Sequence, residues 1–133
     1  MPSAISDRTV VLVDSSLWVH QLRRDGDSTK RDRVNALLQN GLAAWCPPVR
    51  LELWRGVTND VERKTLRRYE ALVPDYEVSS AVWDRAIRLA DRGRAAGVTA
   101  PLADLLIFAC AKEHRLDLAH DDNHFTQLEH LDA

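Results

Sequence analysis

The sequence predicts an α/β fold, with a short parallel sheet of about four strands flanked by helices on both faces. A continuous apolar, β-branched run at residues 9–13 has the composition of a strand that is buried on both faces. Short apolar runs at 42–46 and 116–119 predict further strands, and segments with helical spacing lie between the runs. Strands that alternate with helices form parallel sheets, and such sheets bind ligands beyond the carboxyl ends of their strands.

The first two helices each have a local start or stop signal. Ser15 and Ser16 are expected to cap a helix that begins at Leu17. Residues 32–40 have the apolar spacing of an amphipathic helix, and Gly41 is expected to end it.

The later segments have similar signals. In chain order they predict a helix from Val49 that contains Glu52, a helix capped by Asn59 or Asp60 that reaches Leu72, a strand at 76–78, a helix from Ser79 or Ser80 that ends between Gly93 and Gly97, a helix at 102–113 with Thr99 as cap and Pro101 in its first turn, and a short helix through Leu131.

The length and composition indicate one globular domain. The chain has 133 residues, of which 45% are hydrophobic and 29% charged, and we expect a single domain over 1–133 with a loose extension at 1–8. The chain has no run of about 20 apolar residues and no signal-peptide core, so we expect a cytoplasmic protein without a membrane partner. Cys46 and Cys110 stand alone in apolar segments and are interpreted as reduced core residues.

The basic residues are mostly arginines, although the net charge is only −2. Arginine supplies 15 of the 18 basic side chains, and guanidinium groups match phosphate geometry. Arg85, Arg88 and Arg92 recur at helical spacing and share one face. That face either contacts a polyanion or pairs with Asp84 and Asp91 on a solvated surface.

Acidic residues follow three of the predicted strands. Asp14 comes directly after the first strand, Glu52 lies one turn into the helix after the second, and Asp121 and Asp122 follow the last. The carboxyl ends of parallel strands lie at one edge of the sheet, so we expect these acids to converge. Asp104 interrupts an apolar helix, where a carboxylate is costly unless a positive charge compensates it.

Each acid alone also has an ordinary structural explanation. Asp14 could cap a helix, Glu52 could pair with Arg50 or Arg55, and Asp122 could form a turn. Several converging carboxylates repel one another unless cations hold them, and oxygen donors favour Mg²⁺ or Mn²⁺. Such sites hydrolyse phosphodiesters with a metal-activated water, and the sequence has no nucleophile-elbow motif or Gly-rich phosphate loop.

At these residues the sequence resembles the PIN-domain ribonucleases, and within them the VapC-type toxins of toxin–antitoxin pairs. Four segments match in order and spacing between about residues 9 and 131: 11–18, 52–56, 103–109 and 120–125. The resemblance implies a single PIN-like nuclease domain that cleaves RNA as an Mg²⁺- or Mn²⁺-dependent endoribonuclease, forms a homodimer and is inhibited by a small antitoxin.

The resemblance also implies roles for individual residues. It implies four catalytic, metal-binding acids: Asp14, Glu52, Asp104 and Asp122. Ser15 or Ser16 would support the first acid, and Asp121 and His124 would support the last. Arg88 and Arg92 then become candidates for contact with the RNA backbone.

One position departs from the family pattern. The last motif of the family reads Asp-x-Asp-Phe, whereas this chain has His124 before Phe125. The histidine lowers the negative charge by one and can still bind a cation. The sequence therefore leaves open whether the site holds one metal ion or two. It also leaves an alternative function, a catalytically weak or inactive PIN-fold module that binds RNA or a protein.

A receiver-type signalling domain is a second interpretation of the acids. Such a domain also gathers acids at strand ends, but it needs an acidic pair after the first strand and a lysine near the last. Here Asp14 stands alone, and the three lysines lie elsewhere.

Trp18 and Trp54 lie on the helices beside the acids, where each is either a core residue or part of an antitoxin groove.

Overall fold

The structure is a computed structural model that describes residues 9–132 of the chain. Its elements, in order, are β1 (Val11–Val13), α1 (Ser15–Leu22), α2 (Ser28–Gln39), β2 (Ala43–Ala44), α3 (Pro47–Arg55), α4 (Asp60–Leu72), α5 (Ser80–Ala96), α6 (Leu102–Glu113), β3 (Asp117–Ala119) and α7 (Asn123–Asp132).

The three strands form a parallel sheet in the order β2-β1-β3. Val11 of β1 lies opposite Ala43 on one side and Asp117 on the other. Leu12 and Val13 point to opposite faces of the sheet, and both are 0% exposed. Helices therefore cover both faces of the central strand, and the predicted α/β fold with a parallel sheet is confirmed.

The predicted fourth strand, at 76–78, is wrong. The chain makes only one isolated parallel bridge there, between Trp45 and Asp75. The Trp45 N–H donates to the Pro74 carbonyl over 3.2 Å, and the Tyr76 N–H donates to the Trp45 carbonyl over 2.9 Å. Proline has no N–H to extend this ladder, and the short connection between α4 and α5 leaves little room for more pairing.

The first two helices begin earlier than predicted because an aspartate caps each one. The Asp14 carboxylate accepts a hydrogen bond from the Ser16 N–H, so α1 begins at Ser15 and not at Leu17. Asp27 caps α2 in the same way, which moves its start several residues before the predicted one. The prediction that a serine caps α1 is therefore wrong.

Prolines mark the starts of α3 and α6. Helix α3 begins at Pro47, two residues before the predicted Val49, as suits a residue with a fixed φ and no N–H. Thr99 does not cap α6; Pro101 occupies the cap position, and no side chain caps this end. The predicted end of α5 is confirmed, since Gly97 follows it at a left-handed φ of 73°.

One hydrophobic cluster fills the space between the sheet and the helices. Its largest fully buried side chains include Trp18 and Trp45, whose ring centroids lie 5.2 Å apart. The Tyr69 ring packs 5.3 Å from Trp18 on another side. These aromatic contacts join α1 to α4 and to the end of β2.

Both cysteines lie in this core as free thiols, in agreement with their interpretation as reduced core residues. Cys46 lies at the start of α3, and contact with Cys110, together with burial, raises the pKa of its thiol. The Cys110 thiol donates weakly to the Tyr76 carbonyl over 3.7 Å.

None of the helices in the described part of the chain is both long enough and apolar enough to cross a membrane. The extension predicted at 1–8 lies outside the described residues.

Candidate metal centre

Asp14 lies where the central strand ends and α1 begins. Its backbone N–H donates to the Ala119 carbonyl over 2.9 Å, which continues the β1–β3 pairing to this residue. The side chain is only 2% exposed; one oxygen, Oδ2, accepts from the Ser16 N–H over 3.0 Å. The other oxygen, Oδ1, is buried without a hydrogen-bond partner. Burial raises the pKa of this carboxyl, and the hydrogen bonds from Ser15 and Ser16 oppose the rise.

Glu52 reaches the same place from α3. Its Oε1 accepts a hydrogen bond of 2.8 Å from the Ser15 hydroxyl. Burial raises the pKa of Glu52, the Ser15 hydrogen bond lowers it, and the negative charge of Asp14 raises it further. The hydroxyl of Ser15 thus supports Glu52 and not Asp14, whereas Asp14 is held by the backbone of Ser16.

Asp104 is the most perturbed acid of the group. It lies in the first turn of α6 and is 5% exposed. Burial and the nearby carboxylates of Asp122, Asp14 and Glu52 raise the pKa of Asp104 to about 7. The raised pKa therefore agrees with the sequence-based expectation that this carboxylate needs a positive charge to compensate it.

Asp122 lies in the turn between β3 and α7, and His124 lies in the first turn of α7. Asp122 Oδ1 accepts from the His124 N–H over 2.9 Å, and the His124 ring nitrogen Nδ1 also lies 2.9 Å from it. The same Nδ1 lies 3.1 Å from Oδ2 of Asp104. The histidine ring thus joins the carboxylates of α6 and of the turn after β3.

Asp121 does not join the cluster through its carboxylate, although the sequence makes it a supporting residue. Its side chain is exposed and pairs with Lys30 of α2. Its backbone N–H donates to the Ser16 hydroxyl over 2.9 Å, which ties the turn after β3 to α1. Any support from Asp121 is thus through its backbone.

The four predicted acids line one open cleft, and three further charged side chains line it with them. Arg23 and Arg55 add positive charge, and the Arg55 charge lowers the pKa of Glu52. Glu62 is 5% exposed and accepts from the Thr58 N–H over 2.9 Å and from its hydroxyl over 3.1 Å. The sequence analysis named Arg55 only as a possible ion-pair partner of Glu52, and it did not place Arg23 or Glu62 in the site.

Arg88 and Arg92 lie on α5 and are not among the residues that line the cleft. Both are exposed, and Arg92 donates to the Leu131 carbonyl over 3.3 Å. Neither forms the ion pairs with Asp84 or Asp91 that the sequence left open, within the part of the chain that the structure describes. Arg85, which shares their helix face, forms ion pairs with Glu113 over 2.5 Å and with Asp132 over 2.9 Å.

The two tryptophans near the acids have different environments. Trp18 is 1% exposed and belongs to the core, so the interpretation that it lines a groove is wrong. Trp54 is half-buried, and its Nε1–H donates to Glu70 over 3.0 Å. The Arg50 guanidinium pairs with Glu70 and Asp75 and not with Glu52, the partner that the sequence suggested.

The donor set of the cleft fits a divalent cation. The buried Oδ1 of Asp14 has no hydrogen-bond partner, and such an atom is costly unless a ligand satisfies it. Carboxylate oxygens with raised pKa values, close together at one sheet edge, are a site where a cation would replace mutual repulsion with attraction. Hard oxygen donors favour Mg²⁺ or Mn²⁺, and His124 adds one nitrogen.

Comparison with known proteins gives consistent matches over nearly the whole chain. Residues 11–131 match the PIN domain family. Ribonuclease VapC11 of Mycobacterium tuberculosis is 33% identical over 120 residues, which cover 87% of this chain and 89% of that protein.

Solved structures show the same fold at lower identity. VapBC2 from Rickettsia felis, bound to a DNA fragment from its promoter, matches with a TM-score of 0.74 and 16% identity, covering 89% of this chain and 91% of that one. VapC20 of Mycobacterium tuberculosis, described as a sarcin–ricin loop cleaving toxin, matches with a TM-score of 0.65 and 15% identity, covering 88% and 93%. The chain belongs to the PIN-domain family and, within it, to the VapC type.

Proposed function

We propose that this chain is a divalent-metal-dependent endoribonuclease that acts in the cytoplasm as the toxin of a toxin–antitoxin pair. The observation that carries the proposal is the convergence of Asp14, Glu52, Asp104 and Asp122 in one cleft, where Asp14 Oδ1 is buried without a partner. The similarity to proteins named VapC ribonucleases supports RNA as the substrate.

In this proposal the acids hold the cation, and their neighbours hold the acids. Asp14 and Asp104 are the most buried donors, so they define where the cation lies. The Ser15 hydroxyl holds Glu52 against the same cleft, and the backbone of Ser16 holds Asp14. A bound divalent cation lowers the pKa of a water molecule and neutralises charge on the phosphodiester.

Arginines supply the attraction for RNA that an acidic cleft lacks. Arg23 and Arg55 line the cleft itself, so their guanidinium groups are placed to contact a phosphate next to the one that is cleaved. Arg88 and Arg92 remain part of the proposal as contacts for RNA outside the cleft. No nucleophilic side chain of the protein is required by this scheme.

The proposal includes two protein partners. The first is a small antitoxin, supported by the similarity to the VapBC2 complex. The second is another copy of this chain. An apolar groove between α3, α5 and α6 is lined by Leu51, Trp83 and Leu102, which are 70%, 52% and 79% exposed. Exposed apolar side chains grouped in this way mark interaction surfaces.

A second copy suits the groove better than a partner of one charge. Arg55 and Glu77 are also among its lining residues, so charges of both signs are present. In a contact with twofold symmetry the same patch faces itself, and an arginine of one copy can meet an acid of the other.

Replacement of a central acid should abolish cleavage without unfolding the protein. We expect Asp14→Asn or Asp104→Asn to reduce RNA cleavage in Mg²⁺ or Mn²⁺ to background. Loss of one crowded carboxylate should leave the metal-free protein at least as stable as the wild type. Circular dichroism and a fluorescent RNA cleavage assay measure both effects.

Asp91→Asn is the control for this pair, because Asp91 is exposed on α5. The site assignment is wrong if Asp14→Asn cuts RNA at the wild-type rate. A wild-type protein that binds RNA but never cuts it, with any divalent cation, would instead favour the alternative function of a catalytically inactive PIN-fold binding module.

Replacement of the cleft arginines should weaken RNA binding in a salt-dependent way. We expect Arg23→Gln with Arg55→Gln to lower the slope of log affinity against log salt by roughly one for each phosphate contact that is lost. Arg88→Gln with Arg92→Gln tests the outer face by the same measurement. A pair whose affinity and salt slope equal those of the wild type makes no phosphate contact.

Replacement of an apolar residue in the groove should break the homodimer. We expect Trp83→Asp to shift the protein from dimer to monomer in sedimentation velocity, because it places a charge in an apolar contact. Leu72→Asp, at an exposed residue that ends α4 and is not among the groove residues, is the control. A wild-type chain that is monomeric alone and loses antitoxin binding on Trp83→Asp would assign the groove to the antitoxin.

The raised pKa of Asp104 makes the metal-free protein less stable as the pH rises. This carboxyl titrates at about 7 in the folded chain, against 3.8 for an ordinary aspartate. Between these values the folded chain holds a proton that the unfolded chain has lost, so the free energy of unfolding decreases with pH and levels off above about 7. The expected decrease is on the order of 2–4 kcal/mol.

Urea unfolding in EDTA at about pH 5 and about pH 8 measures this difference. Asp104→Asn should remove most of it, and Asp91→Asn should leave it unchanged. A free energy of unfolding that rises with pH in the wild type, with EDTA present, would contradict the raised pKa.

A further inference from the structure

His124 brings a nitrogen donor beside two of the carboxylates that line the cleft, those of Asp104 and Asp122. In the part of the chain that the structure describes, the side chains of Asp104, Asp122 and His124 form the group whose ligand atoms all lie within 4.8 Å of one another. This group is narrower than the full set of cleft acids, and it includes the position at which the chain departs from the Asp-x-Asp-Phe pattern.

The distances from the His124 nitrogen match those between neighbouring ligands of one metal ion. The His124 Nδ1 lies 3.1 Å from Asp104 Oδ2 and 2.9 Å from Asp122 Oδ1. Ligand atoms about 2.1 Å from a common ion and at right angles to each other lie about 3.0 Å apart. The nitrogen is therefore spaced from each of the two oxygens as adjacent corners of an octahedron are.

The position of the ring follows from the start of α7. The His124 backbone N–H donates to Asp122 Oδ1 over 2.9 Å, so the same helix turn that places the carboxylate also places the imidazole. An ion held by this group would have its other ligands supplied from the cleft.

An independent observation also points to a ligand in the cleft. Asp14 is 2% exposed, and its Oδ1 has no hydrogen-bond partner although its Oδ2 is satisfied by Ser16. Asp14 lines the same cleft as Asp104 and Asp122. A positive ion between these residues would satisfy the free oxygen.

We propose that Asp104, Asp122 and the Nδ1 of His124 form a mixed oxygen–nitrogen cation site that selects first-row transition-metal ions over Mg²⁺. This inference rests on the proposed nuclease site and concerns which ion that site takes. Imidazole nitrogen suits transition ions such as Co²⁺ and Zn²⁺, whereas Mg²⁺ prefers oxygen and gives up water reluctantly. Where the family pattern has a third carboxylate oxygen, this chain has a donor that discriminates between the two classes.

Replacement of the histidine by aspartate separates the effect of nitrogen from the effect of charge. His124→Asp adds a negative charge, which strengthens the binding of every divalent cation, but it removes the nitrogen, which favours transition ions alone. We therefore expect the ratio of Co²⁺ affinity to Mg²⁺ affinity to fall by about tenfold or more. His124→Asn removes the strong nitrogen donor without a new charge and should lower the same ratio.

The measurement is isothermal titration calorimetry of the full chain, without a polyhistidine tag, with Co²⁺, Mn²⁺ and Mg²⁺ at one pH. His130→Asp is the matched control, because His130 is exposed on the same helix and does not belong to this group of ligand atoms. The visible absorption spectrum of bound Co²⁺ gives a second readout, since loss of a nitrogen ligand changes its band positions in His124→Asp but not in His130→Asp.

The outcomes separate this proposal from the proposed function. An equal affinity ratio in wild type and His124→Asp, with an unchanged Co²⁺ spectrum, would overturn the nitrogen ligand even if the protein cuts RNA. A ratio that falls as expected supports the nitrogen ligand, and wild-type protein that then cuts no RNA with any of the three ions would overturn the nuclease and leave the metal site standing.

Discussion

The pairing of β1 with both of its neighbours is the constraint on which the site depends. The register of β1 with β3 carries the chain to Asp122 at the same edge where Asp14 ends β1. Its register with β2 sends α3, and with it Glu52, to that edge as well. The completely buried Leu12 and Val13 anchor this strand between two layers of helices, so hydrophobic burial holds together an edge where carboxylates repel one another.

Hydrogen bonds from two serines hold the acids in place against that repulsion. Ser15 donates to Glu52, the Ser16 backbone donates to Asp14, and the Ser16 hydroxyl accepts from the turn that carries Asp122. Two adjacent serines at the start of α1 therefore fix three of the strand ends relative to one another. The Asp104 carboxyl is buried next to the other acids and to His124, and burial and these negative charges raise its pKa to about 7.

The sequence predicted the fold class and the acids because both depend on strong local patterns. Strand β1 is a continuous β-branched run, and Asp104 interrupts an otherwise apolar helix, so each stands out without knowledge of its neighbours. The parallel topology then brings the acids to one edge by a general rule. The family motif indicated His124 as a departure that could still support the last acid or bind a cation, whereas its contact with Asp104 is visible only in the structure.

What escaped prediction depends on segments that meet only in the folded chain. Residues 76–78 have strand composition, yet Pro74 and a short connection limit them to a single bridge. Arg23 directly follows α1 with no distinctive pattern around it, and it lines the cleft because the N-terminal cap of this helix, Asp14, lies there too. Arg50 has Glu52 two residues away in the sequence, but its partners lie on α4 and in the connection after it.

The β1–β3 register has a consequence for the order in which the acidic edge of the sheet forms during synthesis of the chain. Asp14 and Asp122 are separated by more than a hundred residues, yet they share one edge of the sheet. A ribosome that has completed α1 to α6 has produced most of the core, but the edge still lacks Asp122, because β3 and the turn after it have not been made. The four-acid cleft is therefore complete only when the last strand has joined the sheet.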